Sequence, residues 1–151
     1  MKIALGSDMR SELTAELERQ LRERNCDIAL FGALNPESDE AWTATGRAVG
    51  EAVAAGDCSF GIVCCWTGTG VSIAANKVSG VRAALCGDAA TAEGAREWND
   101  ANVLCLSIRA TTPAIAGEIL DGWFRGKKTE DPAYGAMIDD LVRHDRDKGA
   151  I

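Results

Sequence analysis

Short apolar runs alternate along this chain with longer stretches in which apolar residues recur at helical spacing. In the first such stretch Leu13, Leu17 and Leu21 lie four residues apart, with charged residues on the other faces, which predicts an amphipathic helix. The apolar runs predict strands over 2–5, 27–31, 60–65, 81–86 and 102–107. Further helices are predicted over 41–55, 71–78, 89–98, 113–124 and 134–146.

The alternation of strands and helices predicts the fold class. Continuously apolar strands are typical of a parallel sheet that is covered on both faces. Because crossover connections are right-handed, the result is an α/β fold, a three-layer α/β/α sandwich. We predict one α/β domain over 1–126, followed by a linker and a C-terminal helix over 127–151. That helix is expected at a subunit interface, although packing on its own chain is equally compatible with the pattern.

Composition and charge exclude several classes of protein. The chain has 151 residues, of which 46% are hydrophobic and 26% charged, an ordinary balance for one globular domain. Its net charge of −7 repels phosphate backbones, so we expect no nucleic-acid partner. No apolar run is long enough to cross a bilayer, and the first residues lack the apolar core of a secretory signal. We therefore expect no membrane partner and a cytoplasmic location.

The six cysteines leave two interpretations open. An even number is compatible with disulfides, but in a cytoplasmic chain we favour reduced thiols. Cys64 and Cys65 are adjacent and could form a redox pair, although such a ring is strained. No Cys-x-x-Cys or Cys/His spacing suits zinc, and His144 is the single histidine. We therefore expect no metal site.

The most informative segment is the loop that follows the third predicted strand. In open α/β sheets, ligands bind outside the carboxyl ends of the strands. There the strand ends at Cys65, and Gly68 and Gly70 precede a helix, so free amides and a positive helix end favour an anion and a thiolate. The alternative is an ordinary turn beside a buried cysteine. Asp8, after the first strand, either caps a helix or binds substrate hydroxyls.

Several motifs in this order resemble one known family, the type B ribose-5-phosphate isomerases and galactose-6-phosphate isomerases. The resemblance covers about residues 1–124. It implies a Rossmann-like sandwich with a five-stranded parallel sheet, a homodimer or tetramer with active sites between subunits, and isomerisation of a sugar or sugar phosphate without cofactor or metal. The motifs are Gly6-Ser7-Asp8, Cys65-x-Thr67-Gly68-x-Gly70, Ser72-Ile73-Ala74-Ala75-Asn76-Lys77, Val81-Arg82-Ala83-Ala84-Leu85-Cys86 and Asn99-Asp100-Ala101-Asn102-Val103-Leu104.

The resemblance also implies roles for individual residues. Cys65 matches the base that forms an enediolate intermediate, and Thr67 matches a threonine that orients groups near it. Asp8 and Asn99 match residues that hold substrate hydroxyls, Arg109 matches a phosphate-associated arginine, and the glycine loop supplies the anion hole. The predicted substrate-binding residues are therefore Asp8, Met9, Trp66, Gly68, Thr69, Gly70, Trp98, Asn99 and Arg109.

The chain departs from the family pattern at positions that bear on the substrate. Met9 and Trp98 stand where the family has histidines, the latter a ring-opening histidine, and Trp66 replaces a glycine. The phosphate-binding arginines have no match in 134–140. A four-carbon sugar phosphate needs no such ring opening, so we expect a substrate other than ribose 5-phosphate, either shorter or unphosphorylated. The alternative function is a non-catalytic sugar or sugar-phosphate binding protein on the same fold.

Overall fold

The computed structural model describes residues 1–148, and a single sheet forms its centre. All strand pairs are parallel, in the order β2-β1-β3-β5-β4. The strands are β1 (Lys2–Ser7), β2 (Asp27–Gly32), β3 (Phe60–Cys65), β4 (Ala83–Leu85) and β5 (Val103–Ser107). The predicted Rossmann-like α/β fold with a five-stranded parallel sheet is thereby confirmed.

Helices cover both faces of this sheet, as the continuously apolar strands require. The helices are α1 (Glu12–Glu23), α2 (Trp42–Ala54), α3 (Thr69–Ala75), α4 (Ala89–Asn99), α5 (Pro113–Arg125) and α6 (Pro132–Lys148). Apolar residues of α1, α4 and α5 form one core with one face of the sheet, and those of α2 and α3 form a second core on the other face. The result is the predicted three-layer sandwich.

Two elements are shorter or shifted relative to the prediction. The strand predicted over 81–86 is limited to Ala83–Leu85. Its first two amides are bonded elsewhere, since Val81 donates to the carbonyl of Val78 at 3.1 Å and Arg82 to Asn102 Oδ1 at 2.7 Å. The helix predicted over 71–78 is Thr69–Ala75. It ends early because the amides of the next residues turn back to carbonyls only three positions away.

The first helix is capped by Ser11. One of the two interpretations of Asp8 gave that role to Asp8. The hydroxyl of Ser11 accepts a hydrogen bond from the amide of Thr14, and the hydroxyl of Thr14 accepts one from the amide of Ser11. This reciprocal pair is a capping box. Asp8 lies outside this cap. The helix-capping interpretation of Asp8 is therefore wrong, and the substrate-binding interpretation is the one that is left.

The last helix lies against its own chain. Asp145 Oδ2 accepts hydrogen bonds from the hydroxyl of Ser79 at 3.0 Å and from the amide of Gly80 at 2.6 Å. Ile138 is buried, and the amide of Thr129 in the linker donates to the carbonyl of Glu97 at 2.9 Å. Residues 149–151 of the predicted C-terminal segment lie outside the described residues. Within residues 1–148, no helix combines the length and apolar character needed to cross a membrane.

Candidate active site

Three predicted site residues meet at the edge of the sheet where the strands end. The amide of Asp8, after β1, donates to the carbonyl of Cys64 at 3.4 Å. The amides of Ile108 and Arg109, after β5, donate to the carbonyls of Cys65 and Trp66, both at 3.0 Å. Since β1 and β5 are the two neighbours of β3, these bonds place Asp8 and Arg109 on either side of the Cys65 loop.

Cys64 and Cys65 point to opposite faces of the sheet, as side chains do along a strand. Cys64 belongs to the core under α1 and α5, and Cys65 to the core under α2 and α3. Burial raises the pKa of the Cys64 thiol far above its ordinary value, which makes it an inert apolar group. Cys65 is 5% exposed and lies directly below the loop. The thiols are free, and their opposed directions disfavour a vicinal redox pair.

The loop after Cys65 turns the chain straight into α3. Gly68 has a φ of +76°, and a β-carbon placed on it would lie 2.5 Å from Leu85 Cδ1, so this turn requires glycine. Its amide donates to the carbonyl of Cys65 at 3.2 Å. Thr69 and Gly70 occupy the first turn of the helix, where amides have no acceptor within the helix. Of the three predicted anion-hole residues, Thr69 and Gly70 are therefore the two whose N–H groups can bind an anion.

Thr67 is held within this loop by a contact between side chains. Its Oγ1 lies 2.7 Å from Thr69 Oγ1, so one hydroxyl donates a hydrogen bond to the other. Both residues are exposed. The contact leaves a hydroxyl pair directly beside the free amides at the start of α3, where it can orient a bound oxygen.

Asp8 carries a carboxylate oxygen that is ready to accept a hydrogen bond. Its Oδ1 is buried and has no hydrogen-bond partner within residues 1–148. Burial raises the pKa of this carboxyl above its ordinary value, opposed in part by a backbone hydrogen bond. A buried oxygen without a partner is costly, and a hydroxyl-bearing ligand would remove that cost.

The remaining predicted residues on this edge are exposed. Arg109 extends from the end of β5, and its amide, not its guanidinium, makes the bond to Trp66. Trp66 and Met9 both present apolar side chains to solvent. Arg10, by contrast, is occupied, since its Nη2 donates to the carbonyl of Leu34 at 3.1 Å. Arg109 is therefore the arginine at this edge whose charge is best placed for an anion.

Trp98 and Asn99 lie at the opposite edge of the sheet from Cys65. Both residues end α4, which runs back from the carboxyl end of β4 to the start of β5. An α4 of 11 residues and a β3 of 6 residues each span roughly 16 Å. A single chain thus divides the predicted site into a Cys65 half-site and an Asn99 half-site, one at each end of the sheet.

The Asn99 half-site is fixed by ion pairs to the next residue. Asp100 adopts a left-handed conformation with φ of 46° and accepts Arg82 Nη2 at 3.2 Å and Arg96 Nη1 at 3.4 Å. Lys128 Nζ lies 3.8 Å from the same carboxylate. These contacts anchor the C-terminal end of α4, so Asn99 is presented on a rigid support.

A cavity of about 470 Å³ opens beside this half-site, between α6 and the start of β4. It is lined by residues that include Asn99, His144, Leu141 and Val142. His144 is the single histidine of the chain, and within residues 1–148 no three metal-ligating side chains are grouped to hold an ion. Asn99 is the predicted site residue that this cavity includes.

Trp42 is a residue near the Cys65 half-site that the sequence analysis missed. A β-carbon placed on Gly70 would lie 3.0 Å from Trp42 Cε3, so the indole packs directly on that glycine. Trp42 is nevertheless 44% exposed. The signal in the sequence is a large aromatic residue in the first turn of a helix, but its contact with Gly70 depends on how two helices pack.

Comparisons with known proteins give a consistent result. Residues 3–139 match the family model described as Ribose/Galactose Isomerase. A protein named ribose-5-P isomerase B from Listeria innocua is 37% identical over 124 residues, covering 82% of this chain and 83% of the relative. A D-erythrulose-4-phosphate isomerase from Pectobacterium atrosepticum is 31% identical over 124 residues, covering 82% of each.

Solved structures are similar over nearly the whole chain. The structure of Clostridium thermocellum ribose-5-phosphate isomerase B superposes with a TM-score of 0.89 at 36% identity, covering 98% of this chain and 99% of the other. A ribose-5-phosphate isomerase B from Mycoplasma genitalium, solved with bound ribulose-5-phosphate, has a TM-score of 0.85 at 30% identity, covering 96% of each chain.

Proposed function

Because this chain belongs to the ribose and galactose isomerase family and is an aldose–ketose isomerase, we propose that its preferred substrate is a four-carbon sugar phosphate. The observation that carries the proposal is the identity of the side chains at positions 9 and 98. Met9 and Trp98 stand where the sequence resemblance implies histidines, and neither side chain exchanges protons. The site therefore lacks the groups that a cyclic sugar requires.

The chemistry of sugar rings connects this observation to the substrate. A four-carbon sugar phosphorylated at its terminal oxygen has no hydroxyl left to close a five-membered ring, so it reaches the enzyme as an open chain. Trp98 is 48% exposed, and its ring lies over Gly94 in the preceding turn of α4, where it presents an apolar face. The relative named D-erythrulose-4-phosphate isomerase shows that this family includes a four-carbon substrate.

Cys65 is proposed as the base. Its sulfur removes the proton from the carbon next to the carbonyl, and the electron pair moves to the carbonyl oxygen to give an enediolate. A proton then passes from the hydroxyl on that carbon to the former carbonyl oxygen, and the same sulfur returns its proton to the former carbonyl carbon. One C–H bond and one O–H bond break, and one of each forms. The amides of Thr69 and Gly70, with the hydroxyl of Thr67, stabilise the negative oxygen. Only protons move, so the step itself calls for no redox cofactor.

Asp8 and Arg109 are proposed to bind the two ends of this substrate. The buried oxygen of Asp8 without a partner accepts a hydrogen bond from a substrate hydroxyl. The exposed Arg109 guanidinium pairs with the phosphate, because its two parallel N–H donors match two phosphate oxygens. Trp66 stands where the resemblance implies a glycine, and its larger side chain narrows the space between Asp8 and Arg109.

The separation of the two half-sites supports a homodimer. Trp98 and Asn99 reach the Cys65 loop only from a second copy of the chain, and a two-fold axis would complete two sites at once. A tetramer would consist of two such dimers. We also propose that the segment over 127–148 belongs to this interface and that 1–126 forms the isomerase domain. The free cysteines agree with a cytoplasmic location.

Mixing two inactive variants tests the shared site. Cys65→Ser and Asn99→Ala are purified separately, then dissociated and reassociated together at equal concentration. If each site combines one Cys65 loop with the partner's Asn99, heterodimers contain one intact site and the mixture recovers about a quarter of wild-type activity. If both residues act within one chain, the mixture stays inactive.

The substrate is tested by assaying aldose–ketose exchange on a panel of sugars with and without phosphate. We expect the highest kcat/KM for the four-carbon phosphate, lower values for five- and six-carbon phosphates, and the lowest values for free sugars. A clear preference for ribose 5-phosphate would contradict the proposal.

The alternative of a sugar-phosphate binding protein without catalysis finds no support, because the relatives of this chain are named as isomerases. Tight binding of the four-carbon phosphate with no exchange between its aldose and ketose forms would contradict the role proposed for Cys65.

A further inference from the structure

Trp42 lies at the same edge of the sheet as the Cys65 loop. In a parallel sheet, each connecting helix runs opposite to the strands, so α2 and α3 both begin where the strands end. Trp42 is the first residue of α2, and the free amides of Thr69 and Gly70 begin α3. The two helix starts therefore face the same space.

The indole of Trp42 covers one side of Gly70. A β-carbon placed on Gly70 would lie 3.0 Å from Cε3 and 3.1 Å from Cδ2 of Trp42, closer than ordinary side chains pack. The contact uses only part of the ring, since Trp42 remains 44% exposed. The indole thus forms a wall beside the proposed anion hole, with its remaining surface open.

Close packing of α2 on α3 fixes the position of this wall. One turn after Trp42, a β-carbon placed on Gly46 would lie 2.8 Å from both the carbonyl oxygen of Val71 and the β-carbon of Ala74. The helices can approach this closely only because residue 46 is glycine. The backbone of Trp42 is therefore held at a fixed distance from Gly70.

We propose that Trp42 is a specificity-determining residue that limits the length of the sugar phosphate. Its indole occupies the space beside Gly70 that the additional carbon of a longer sugar would need, and its exposed face packs against the carbon chain of a four-carbon sugar. This inference rests on the proposed function, because it concerns the substrate of the same site.

Binding of two stable acids tests the role of Trp42 apart from catalysis. The four-carbon 4-phosphoerythronate and the five-carbon 5-phosphoribonate are titrated calorimetrically into wild type, Trp42→Phe and Trp42→Ala. Wild type should bind the shorter acid more tightly. Trp42→Ala should shift the ratio of the two Kd values toward the longer acid by about tenfold or more, and Trp42→Phe should shift it less.

The matched control is Ile73→Ala, which removes an exposed apolar side chain from the neighbouring helix and should leave the ratio of Kd values within about twofold of wild type. A ratio equally unchanged in Trp42→Ala and Trp42→Phe would overturn the inference, as would wild type that binds both acids equally or neither. Turnover of the four-carbon phosphate by wild type tests the proposed function separately: absent turnover with a shifted Kd ratio would reject catalysis and retain Trp42 as the length determinant.

Discussion

The amide of Ile108 donates a hydrogen bond to the carbonyl oxygen of Cys65 at 3.0 Å. This bond fastens the end of β5 to the end of β3, beyond the last pair of the sheet. The next residue repeats the contact, from the Arg109 amide to the Trp66 carbonyl. The backbone of Arg109 is thus fixed, while its guanidinium extends into solvent beside the Cys65 loop.

Replacing Arg109 by Gln should weaken binding of phosphorylated substrates without unfolding the protein. Loss of a charge-assisted hydrogen bond costs about 1.5–3 kcal/mol, so KM for the four-carbon phosphate should rise about 10- to 100-fold. KM for the unphosphorylated sugar should not change. Arg47→Gln, an exposed arginine with only a 3.9 Å ion pair, is the control, and an equal rise in KM there would contradict the assignment.

Cys64→Ser should destabilise the fold. The hydroxyl would enter a fully buried position among apolar side chains, and an uncompensated buried hydroxyl costs about 1–3 kcal/mol. Urea denaturation should show a smaller loss for Cys64→Ala, which adds no polar group. If Cys64→Ser instead removed activity while leaving the unfolding free energy unchanged, the wrong cysteine of the pair would have been assigned.

The sequence was sufficient to predict the elements at the Cys65 edge. One apolar run ends at Cys65, and two others end shortly before Asp8 and Arg109. Because parallel strands bring those ends together, periodicity and one topological rule locate this half-site. The bounds of α3 were less accessible, because the helix starts where Gly68 adopts a positive φ and ends in a short turn set by neighbouring contacts.

Two features required the three-dimensional structure. The separation of Asn99 from Cys65 depends on the direction in which α4 crosses the sheet, whereas a linear motif shows only their order. The contact of Trp42 with Gly70 depends on how closely α2 approaches α3, which is set by the absence of a side chain at Gly46. Neither relationship leaves a periodic signal in the chain.

Asp8→Asn should stabilise the protein at neutral pH and lower its activity. Burial raises the pKa of Asp8 in the folded state, so folding favours the protonated carboxyl. Stability linked to this group is fully present below its unfolded pKa, about 4, and is lost as pH rises through its folded pKa. The Tm advantage of Asp8→Asn over wild type should therefore shrink as pH is lowered toward 4. An advantage that grows on acidification would contradict this sign.

Asp145→Ala should loosen α6 without unfolding the sheet. The substitution removes the acceptor for the Ser79 hydroxyl and the Gly80 amide, and a hydrogen bond to a charged group contributes about 1.5–3 kcal/mol. Hydrogen exchange should speed up in α6 and in the turn at 79–80, while amides of β1 and β3 keep their protection. Uniformly faster exchange across the sheet would show that α6 is an integral part of the core.

Transfer of solvent deuterium to carbon tests the proposed base most directly. In D₂O, wild type should place deuterium on the carbons next to the carbonyl of the four-carbon sugar phosphate. Cys65→Ser should bind the same sugar with similar affinity but exchange at least about 100-fold more slowly. Exchange by Cys65→Ser at close to the wild-type rate would show that the Cys65 sulfur does not move the proton.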